Sequence, residues 1–348
     1  MTNQPDIRRV DVRRVAVIGA GPAGMAAAGS LASLGIAVDW YEKDPLTGGK
    51  LHDYYQLFPD RVRASEVLPE LESKSGKSLI TKYLGRTISE IERHPGGIVL
   101  KNGSGSCGEA DAVILATGFD FFDARLKEEF GYGIYKHVIT SVDLERMLPV
   151  GKDALRRFGK DPATVGFVHC VGSRDEQVGI SYCSRLCCIT GIKQAIEVSE
   201  MFPAAKVYNF YIDMRAFGQG FEELYRKAQE EHGIRFIRGR VSEASEDREF
   251  RIRVKAEDTL MARPLKVTVD WLVLLVGMTP SCTEVTLDHA EKQQEFIKPE
   301  NPLTSNAVRG MPGVFAAGCC TGPMNIPESV ASGRAAALQA YDYLTRDR

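Results

Sequence analysis

The chain has 348 residues, 44% of them hydrophobic, which is enough to bury a full core without disulfide staples. Lysine and arginine (44) nearly balance aspartate and glutamate (46), a formal net charge of −2, and this argues against nucleic acid or an anionic membrane as the main partner. The opening MTNQPDIRRVDVRR lacks the apolar stretch of a secretory signal, and runs such as WLVLLVGM are too short to span a bilayer. A soluble, cytoplasmic protein without membrane insertion is therefore expected, and its eight cysteines read as ligands or redox thiols rather than a disulfide framework.

Residues 15–18 read as a short strand, 19–24 as a turn, and the alanine-rich stretch to about residue 34 as a helix ended by Gly35. Residues 36–41 give the next strand. The segment from 48 to about 69 is rich in loop formers, with a helix and a strand following within 68–83. ISEIERHPGGIVLKNG reads as a hairpin turning at Pro95-Gly96-Gly97, and residues 112–116 as a buried strand closed by Thr117-Gly118. Residues 120–160 are polar and irregular, the expected crossing to a second lobe. There the pattern predicts strands at 164–168, 205–212, 234–237 and 271–276, helices at 187–201 and 221–231, and a hairpin from FRIRVKA and LKVTVD. A strand at 313–317 and an alanine-rich helix at 327–344 end the chain. The expected fold is α/β with two Rossmann-like, three-layer lobes: residues 1–150 open the first, 151–295 form the second, and 296–348 return to the first.

Gly19-Ala20-Gly21-Pro22-Ala23-Gly24 is a G-x-G-x-x-G fingerprint between strand and helix. Its glycines suit a tight turn, close approach of a pyrophosphate and close helix packing, and the helix N-terminus offers unpaired N–H groups to phosphate. Glu42, with Lys43 beside it, ends the next strand, where a carboxylate accepts ribose hydroxyls.

Cys170, Cys183, Cys187 and Cys188 lie in HCVGSRDEQVGISYCSRLCCITG, just after the strand TVGFV and at the start of a helix. In a second dinucleotide lobe this turn would carry another glycine fingerprint, yet only Gly172 stands in HCVGSRDE, which argues against conventional nicotinamide binding there. Adjacent Cys187 and Cys188 cannot point the same way on a regular helix, so an irregular helix start is expected. Four thiolates suit an iron–sulfur cluster or zinc, and dithiol–disulfide chemistry and inert packing stay open; the spacing is not the paired C-x-x-C of structural zinc sites. Cys107 and Cys282 are isolated and read as structural thiols. Arg174, Arg185 and His169 flank the cysteines as candidates for tuning such a centre or as structural partners. No isolated acid, base or nucleophile calls for hydrolysis, so no catalytic side chain is assigned.

Gly48-Gly49-Lys50, ADAVILATG and GMPGVFAAGCCTGPMNIPESVASGRAAALQA resemble, in order, three motifs of the two-dinucleotide-domain flavoproteins that include thioredoxin reductases. The resemblance implies FAD at the first site, touched by Gly49, Lys50, Thr117, Gly118, Gly318 and Cys319, with the helix from Pro327 pointing its N-terminus at the flavin ring. It departs from the group at Cys319, where an aspartate is usual. HCVGSRDE…YCSRLCC together with AAGCCTGPMNIPESVASG resembles the A-type flavoprotein subunits of heterodisulfide reductases over nearly the whole chain. That resemblance implies a [4Fe–4S] cluster on Cys170, Cys183, Cys187 and Cys188, near the FAD. The C-x-x-C-x-x-C runs of the long methanogen forms are absent, which makes flavin-based bifurcation unexpected and points to the compact A-like member of sulfur-oxidising heterodisulfide-reductase-like complexes. Such a protein implies an oxidoreductase, an electron-transfer role converting two-electron to one-electron chemistry, a homodimer, and iron–sulfur, thiol-handling and lipoate-binding partners. The competing expectations are a self-contained NAD(P)H-dependent flavin disulfide oxidoreductase and a structural or sensing component.

Overall fold

A computed structural model describes residues 13–155, 159–281, 285–287, 292–293 and 296–346. Cys282 lies outside the described residues. The chain opens with β1 (Arg14–Ile18), α1 (Pro22–Ser33) and β2 (Ala37–Glu42). After a helix at Ala64–Lys74 come β3 (Ile80–Leu84), a three-stranded antiparallel meander from Glu90 to Ala110, and β4 (Ala112–Leu115). The crossing segment is more ordered than its polarity suggests. Val138–Thr140 forms β5 and Ser141–Met147 forms α2, started by a capping box between Thr140 and Asp143. Then follow β6 (Thr164–Val171), α3 (Cys187–Met201), β7 (Lys206–Tyr211), α4 (Phe221–Glu230), β8 (Arg235–Arg238) and, after an antiparallel meander, β9 (Trp271–Val276). The chain returns with β10 (Val314–Ala316) and α5 (Ile326–Thr345).

Two parallel five-stranded sheets result, ordered β10–β4–β1–β2–β3 and β5–β9–β6–β7–β8. This is the two-lobed Rossmann-like architecture. The second sheet takes its edge strand from Val138 onward, ahead of residue 151, because β5 pairs with β9 rather than with the first sheet. Both sheets are centred on strands buried along their length, such as VAVI of β1 and WLVLLV of β9, as parallel strands covered on both faces must be. α1 and α5 cover one face of the first sheet through small residues, Ala23, Ala27 and Ala28 against Gly333, Ala336 and Ala337, which bring the two backbones close. Among the described residues no helix is long and apolar enough to cross a membrane.

Candidate functional site

At the end of β1 the chain turns sharply into α1. Gly19 has φ +106°, and a Cβ there would meet the Ala116 carbonyl oxygen at 2.2 Å; one on Gly24 would meet the Gly19 carbonyl oxygen at 1.9 Å. Only glycine lets strand, turn and helix approach this closely. A Cβ on Gly21 would meet nothing within 4 Å, so that side of the turn is open. Gly21 is the N-cap of α1, no side chain caps the helix, and its first turn holds no acidic residue. The N-terminus of α1 is thus an uncompensated anion site. It faces a cavity of about 210 Å³ lined by Gly19, Gly21, Pro22, Ala23, Glu42, Lys43, Gly49, Lys50, Thr117, Gly118 and Cys319. Glu42 is buried, with one carboxylate oxygen accepting from Ala20 N–H at 2.5 Å and the other from Asp44 N–H at 3.0 Å. Thr117 Oγ1 is buried with no hydrogen-bond partner. An orphaned hydroxyl, an uncapped helix and an open glycine face together fit a dinucleotide bound in this cavity.

A second cavity, about 310 Å³, joins the first through Pro22, Lys50, Asp53, Phe119, Cys319 and Ser329. Its walls are mostly apolar, with Leu51, Phe121, Leu186 and Met278, and Pro327 closes one side. Lys50 reaches both cavities, 3.8 Å from Asp120 and over the Phe121 ring. Two of the expected cofactor-binding residues stand behind these walls. Gly24 sits under the turn, and Gly318 packs its α-carbon against Ala23 while Ala317 and Cys319 do the lining. The helix at Pro327 also differs from expectation. Its N-terminus is closed by a capping box in which Asn325 and Glu328 satisfy each other's N–H groups, so fewer free donors face the cavity than at α1. Burial raises the Cys319 thiol pKa, and the thiol contacts the Met324 carbonyl at 3.3 Å.

Cys170 lies at the end of β6, Cys183 in the loop that follows, and Cys187 and Cys188 in the first turn of α3. The loop after Cys170 folds back on itself: Arg174 N–H donates to Tyr182 O, and Asp175 and Ile180 exchange both backbone hydrogen bonds. Ser173 and Ser184 hydroxyls then bond at 2.6 Å, and Ser184 accepts from Met278 N–H, which anchors the loop beyond the end of β9. The loop thereby carries Cys183 back to the approach to α3. Cys170, Arg174 and Arg185 all adopt positive φ, 61°, 56° and 61°, a concentration of backbone strain in non-glycine residues around this cluster. Arg185 supplies the irregular helix start. Burial pushes the Cys170 thiol up to about 12, with Cys188 and Cys183 adding to the effect. Burial likewise raises Cys187, with Cys170, Cys188 and Cys183 contributing. Among the described residues no group of three or more histidine, cysteine or acidic side chains is arranged to hold a metal ion. The donor set has the chemistry of an iron–sulfur or zinc site, but it is not closed around one point.

Cys187 lines the second cavity, with Ser184 and Leu186 beside it. Arg174 is paired with Asp213 at 2.5 Å, and Arg185 with Glu328 at 2.8 Å and the Pro323 carbonyl at 2.8 Å. His169 is buried, donates from Nε2 to Asn209 Oδ1 at 2.8 Å, and leaves Nδ1 without a partner; burial pulls its pKa down to about 4. Cys107 sits apart in the meander against the Leu100 carbonyl. Sequence reasoning missed one further feature of the second cavity, a buried ion pair between Lys193 and Glu145 on its wall. Glu145 also accepts from Gln194 at 2.8 Å and from Tyr55 N–H at 2.9 Å. The signal was legible in GIKQAIEV, where charged residues interrupt an otherwise buried helix.

A family model described as pyridine nucleotide-disulphide oxidoreductase matches residues 13–151 and 189–335. The chain belongs to that family. As a family member it is an oxidoreductase, and the fold and first cavity make it an FAD-binding flavoprotein. The match lapses over 152–188, the stretch holding β6, the turn after it and all four cysteines. The second A-type iron-sulfur subunit of the CoB–CoM heterodisulfide reductase of Methanopyrus kandleri is 31% identical over 95% of this chain and 64% of its own length. The corresponding A-type subunit of Methanocaldococcus jannaschii is 39% identical over 74% of this chain and 40% of its own. The chain thus spans less than two thirds of these relatives, and the kinship to the A-type subunits of heterodisulfide reductases expected from the cysteine motif is borne out. Thioredoxin reductase of T. acidophilum shares the fold, with TM-score 0.69 at 19% identity over 95% of this chain and 98% of its own. The Lactococcus lactis enzyme has TM-score 0.65 at 17% identity, covering 95% and 99%.

Proposed function

We propose that this family member is an electron-converting flavoprotein, with FAD in the two joined cavities and a [4Fe–4S] cluster on Cys170, Cys183, Cys187 and Cys188. The observation that carries the reading is Cys187, which belongs both to the four-thiol group and to the wall of the cavity beyond Pro22 and Lys50. Bound FAD would exchange electrons either in pairs or singly and a cluster only singly, so the two held at one wall would supply a converter. The chain's own residues bind and insulate. The N-terminus of α1 and Gly21 receive the phosphates, Glu42 the ribose, and Leu51, Phe121, Leu186 and Met278 exclude water from the flavin ring. Thiols held protonated by burial must release their protons when a cluster assembles. In this reading the protein serves a thiol/disulfide-linked complex of the heterodisulfide reductase type in sulfur metabolism. It works in the cytoplasm as a homodimer, beside iron–sulfur, thiol-handling and lipoate-binding proteins.

The family match speaks more directly for a second reading, a self-contained NAD(P)H-dependent flavin disulfide oxidoreductase. Against it stand the lapse of that match over the second lobe's turn and the lack of any C-x-x-C pair in the sequence. Anaerobic purification followed by flavin, iron and acid-labile sulfide analysis separates the two. One FAD with four irons and four sulfides per chain is expected. Flavin without iron, together with rapid NADH diaphorase turnover, would overturn the first reading in favour of the second.

A further inference from the structure

One wall of the second cavity is a small hairpin that crosses from the first lobe to the second. Gln56–Leu57 pairs antiparallel with Val62–Arg63, and Leu57, Phe58, Asp60 and Val62 line the cavity. The hairpin is held differently at its two ends. At the root, the buried Lys193–Glu145 pair of α3 and α2 grips its backbone. Lys193 Nζ donates to the Gln56 carbonyl at 2.9 Å, and Glu145 accepts from Tyr55 N–H at 2.9 Å. Ala64 N–H donates to the Tyr55 carbonyl at 3.1 Å and closes the root. At the tip, side chains make the contacts with the second lobe. The Phe58 ring meets Phe221 edge to face with centres 5.5 Å apart, and Pro59 lies so near Gly220 that an added Cβ there would come within 2.9 Å of it. Arg61 forms a two-pronged pair with Glu200 of α3 at 2.7 and 2.5 Å. Among the described residues no backbone hydrogen bond ties 57–62 to the second lobe. The other walls come from regular elements, with Val142 and Glu145 on α2, Lys193 on α3, Val276 on β9 and Pro327 on α5. Moving any of those parts a helix or a sheet, whereas moving the hairpin tip breaks only side-chain contacts, the kind of local opening that costs least.

We propose that residues 56–63 are a flap over the second cavity, rooted on Lys193 and Glu145 and latched by Arg61 on Glu200 and Phe58 on Phe221, and that its opening admits small molecules to the flavin ring. The inference rests on the placement of FAD in the joined cavities and adds the route of entry. It does not depend on a cluster at the cysteines. Opening breaks non-covalent contacts only.

The test uses the full chain purified with its flavin, in the parent and in Arg61→Ala, Phe58→Ala and the exchanged pair Arg61→Glu/Glu200→Arg. Hydrogen–deuterium exchange reads opening of the hairpin, and iodide quenching of flavin fluorescence reads access to the ring. Arg61→Ala is expected to speed exchange over residues 56–63 by about fivefold and to raise the iodide quenching constant by about twofold, while β1 and β9 keep the parent's protection. Phe58→Ala should act in the same direction. The exchanged pair should return both readouts toward the parent, which loss of folding in a single variant would not allow. Hairpin exchange that stays at the parent level in both single variants overturns the flap. So does exchange that rises equally in α3 and β9, because the lobes would then be parting as a whole, and so does faster exchange without added quenching. Flavin analysis of the same samples reports on the underlying reading separately: a flavin-free protein whose hairpin still loosens in Arg61→Ala would sink the cofactor assignment but keep the latch.

Discussion

The turn from β1 into α1 and the turn from β6 toward α3 occupy equivalent places in two parallel sheets of the same five-strand pattern. Each is where a doubly wound sheet leaves a crevice beyond its strand ends. In the first, glycines keep the turn free of large side chains, the helix follows at once, and its bare N-terminus meets the cavity. In the second, a long excursion between Val171 and Cys187 separates β6 from α3, folds back on itself, and carries Cys183 between Cys170 and the pair that opens α3. One scaffold position thus presents either backbone N–H groups or thiol side chains. The backbone decides which. A tight glycine turn presents amides, whereas a longer loop held by the Ser173–Ser184 hydrogen bond presents cysteines.

Exchanging the features that separate the two turns gives the sharpest tests. Cys187→Ser should remove the iron and sulfide almost completely while FAD stays near one per chain, checked by metal, sulfide and flavin analysis; iron retained at the parent level would show that the second turn is not a ligand site. Gly24→Val should do the reverse in the first lobe. Its side chain has to enter space held by the Gly19 backbone, so flavin content should fall below about a tenth of the parent, with a stability loss of about 1–3 kcal/mol on chemical denaturation. Glu42→Ala is milder. It frees the Ala20 and Asp44 N–H groups and removes a ribose acceptor, and FAD affinity should drop about tenfold to a hundredfold in a flavin-release titration.

The buried charges behind the second cavity respond to pH. Burial pushes Glu197 up to about 8, with Lys193 pulling against it and Glu145 reinforcing it. An acid raised in the folded state keeps a proton that the unfolded chain has released, so its contribution to stability declines as pH rises from the ordinary carboxylate value toward about 8. Glu197→Gln should therefore raise the melting temperature at pH 8 and leave it nearly unchanged near pH 4.5; an equal gain at both would remove the titration as its cause. The smallest effect belongs to the strap between the two regions. Arg185→Ala breaks a partly exposed pair with Glu328 and should cost less than about 1 kcal/mol of global stability.

Several particulars show how far residue patterns reach. The fingerprint from Gly19 to Gly24, the buried strands at 112–115 and 271–276 and the helix at Cys187 were readable because glycine conformation, apolar runs and helix period are local properties. Residues 120–160 misled because β5 is only three residues long and gains its order from pairing with β9, far away in sequence. The Lys193–Glu145 pair was passed over because 48 residues separate its members, and only packing of α2 against α3 joins them.

By itself the sequence determined two parallel α/β units, a nucleotide turn in one and four cysteines in the other, since these follow from short-range sterics and the periodic placement of apolar side chains. Tertiary structure alone decided that Cys187 opens into the second cavity while Cys170 faces a separate one, that Glu328 caps its own helix and holds Arg185, and that Gly24 and Gly318 support the walls rather than form them. Those outcomes depend on which strand ends and loops meet across long stretches of chain, and side-chain direction at such a meeting is set by packing rather than by neighbours in the sequence.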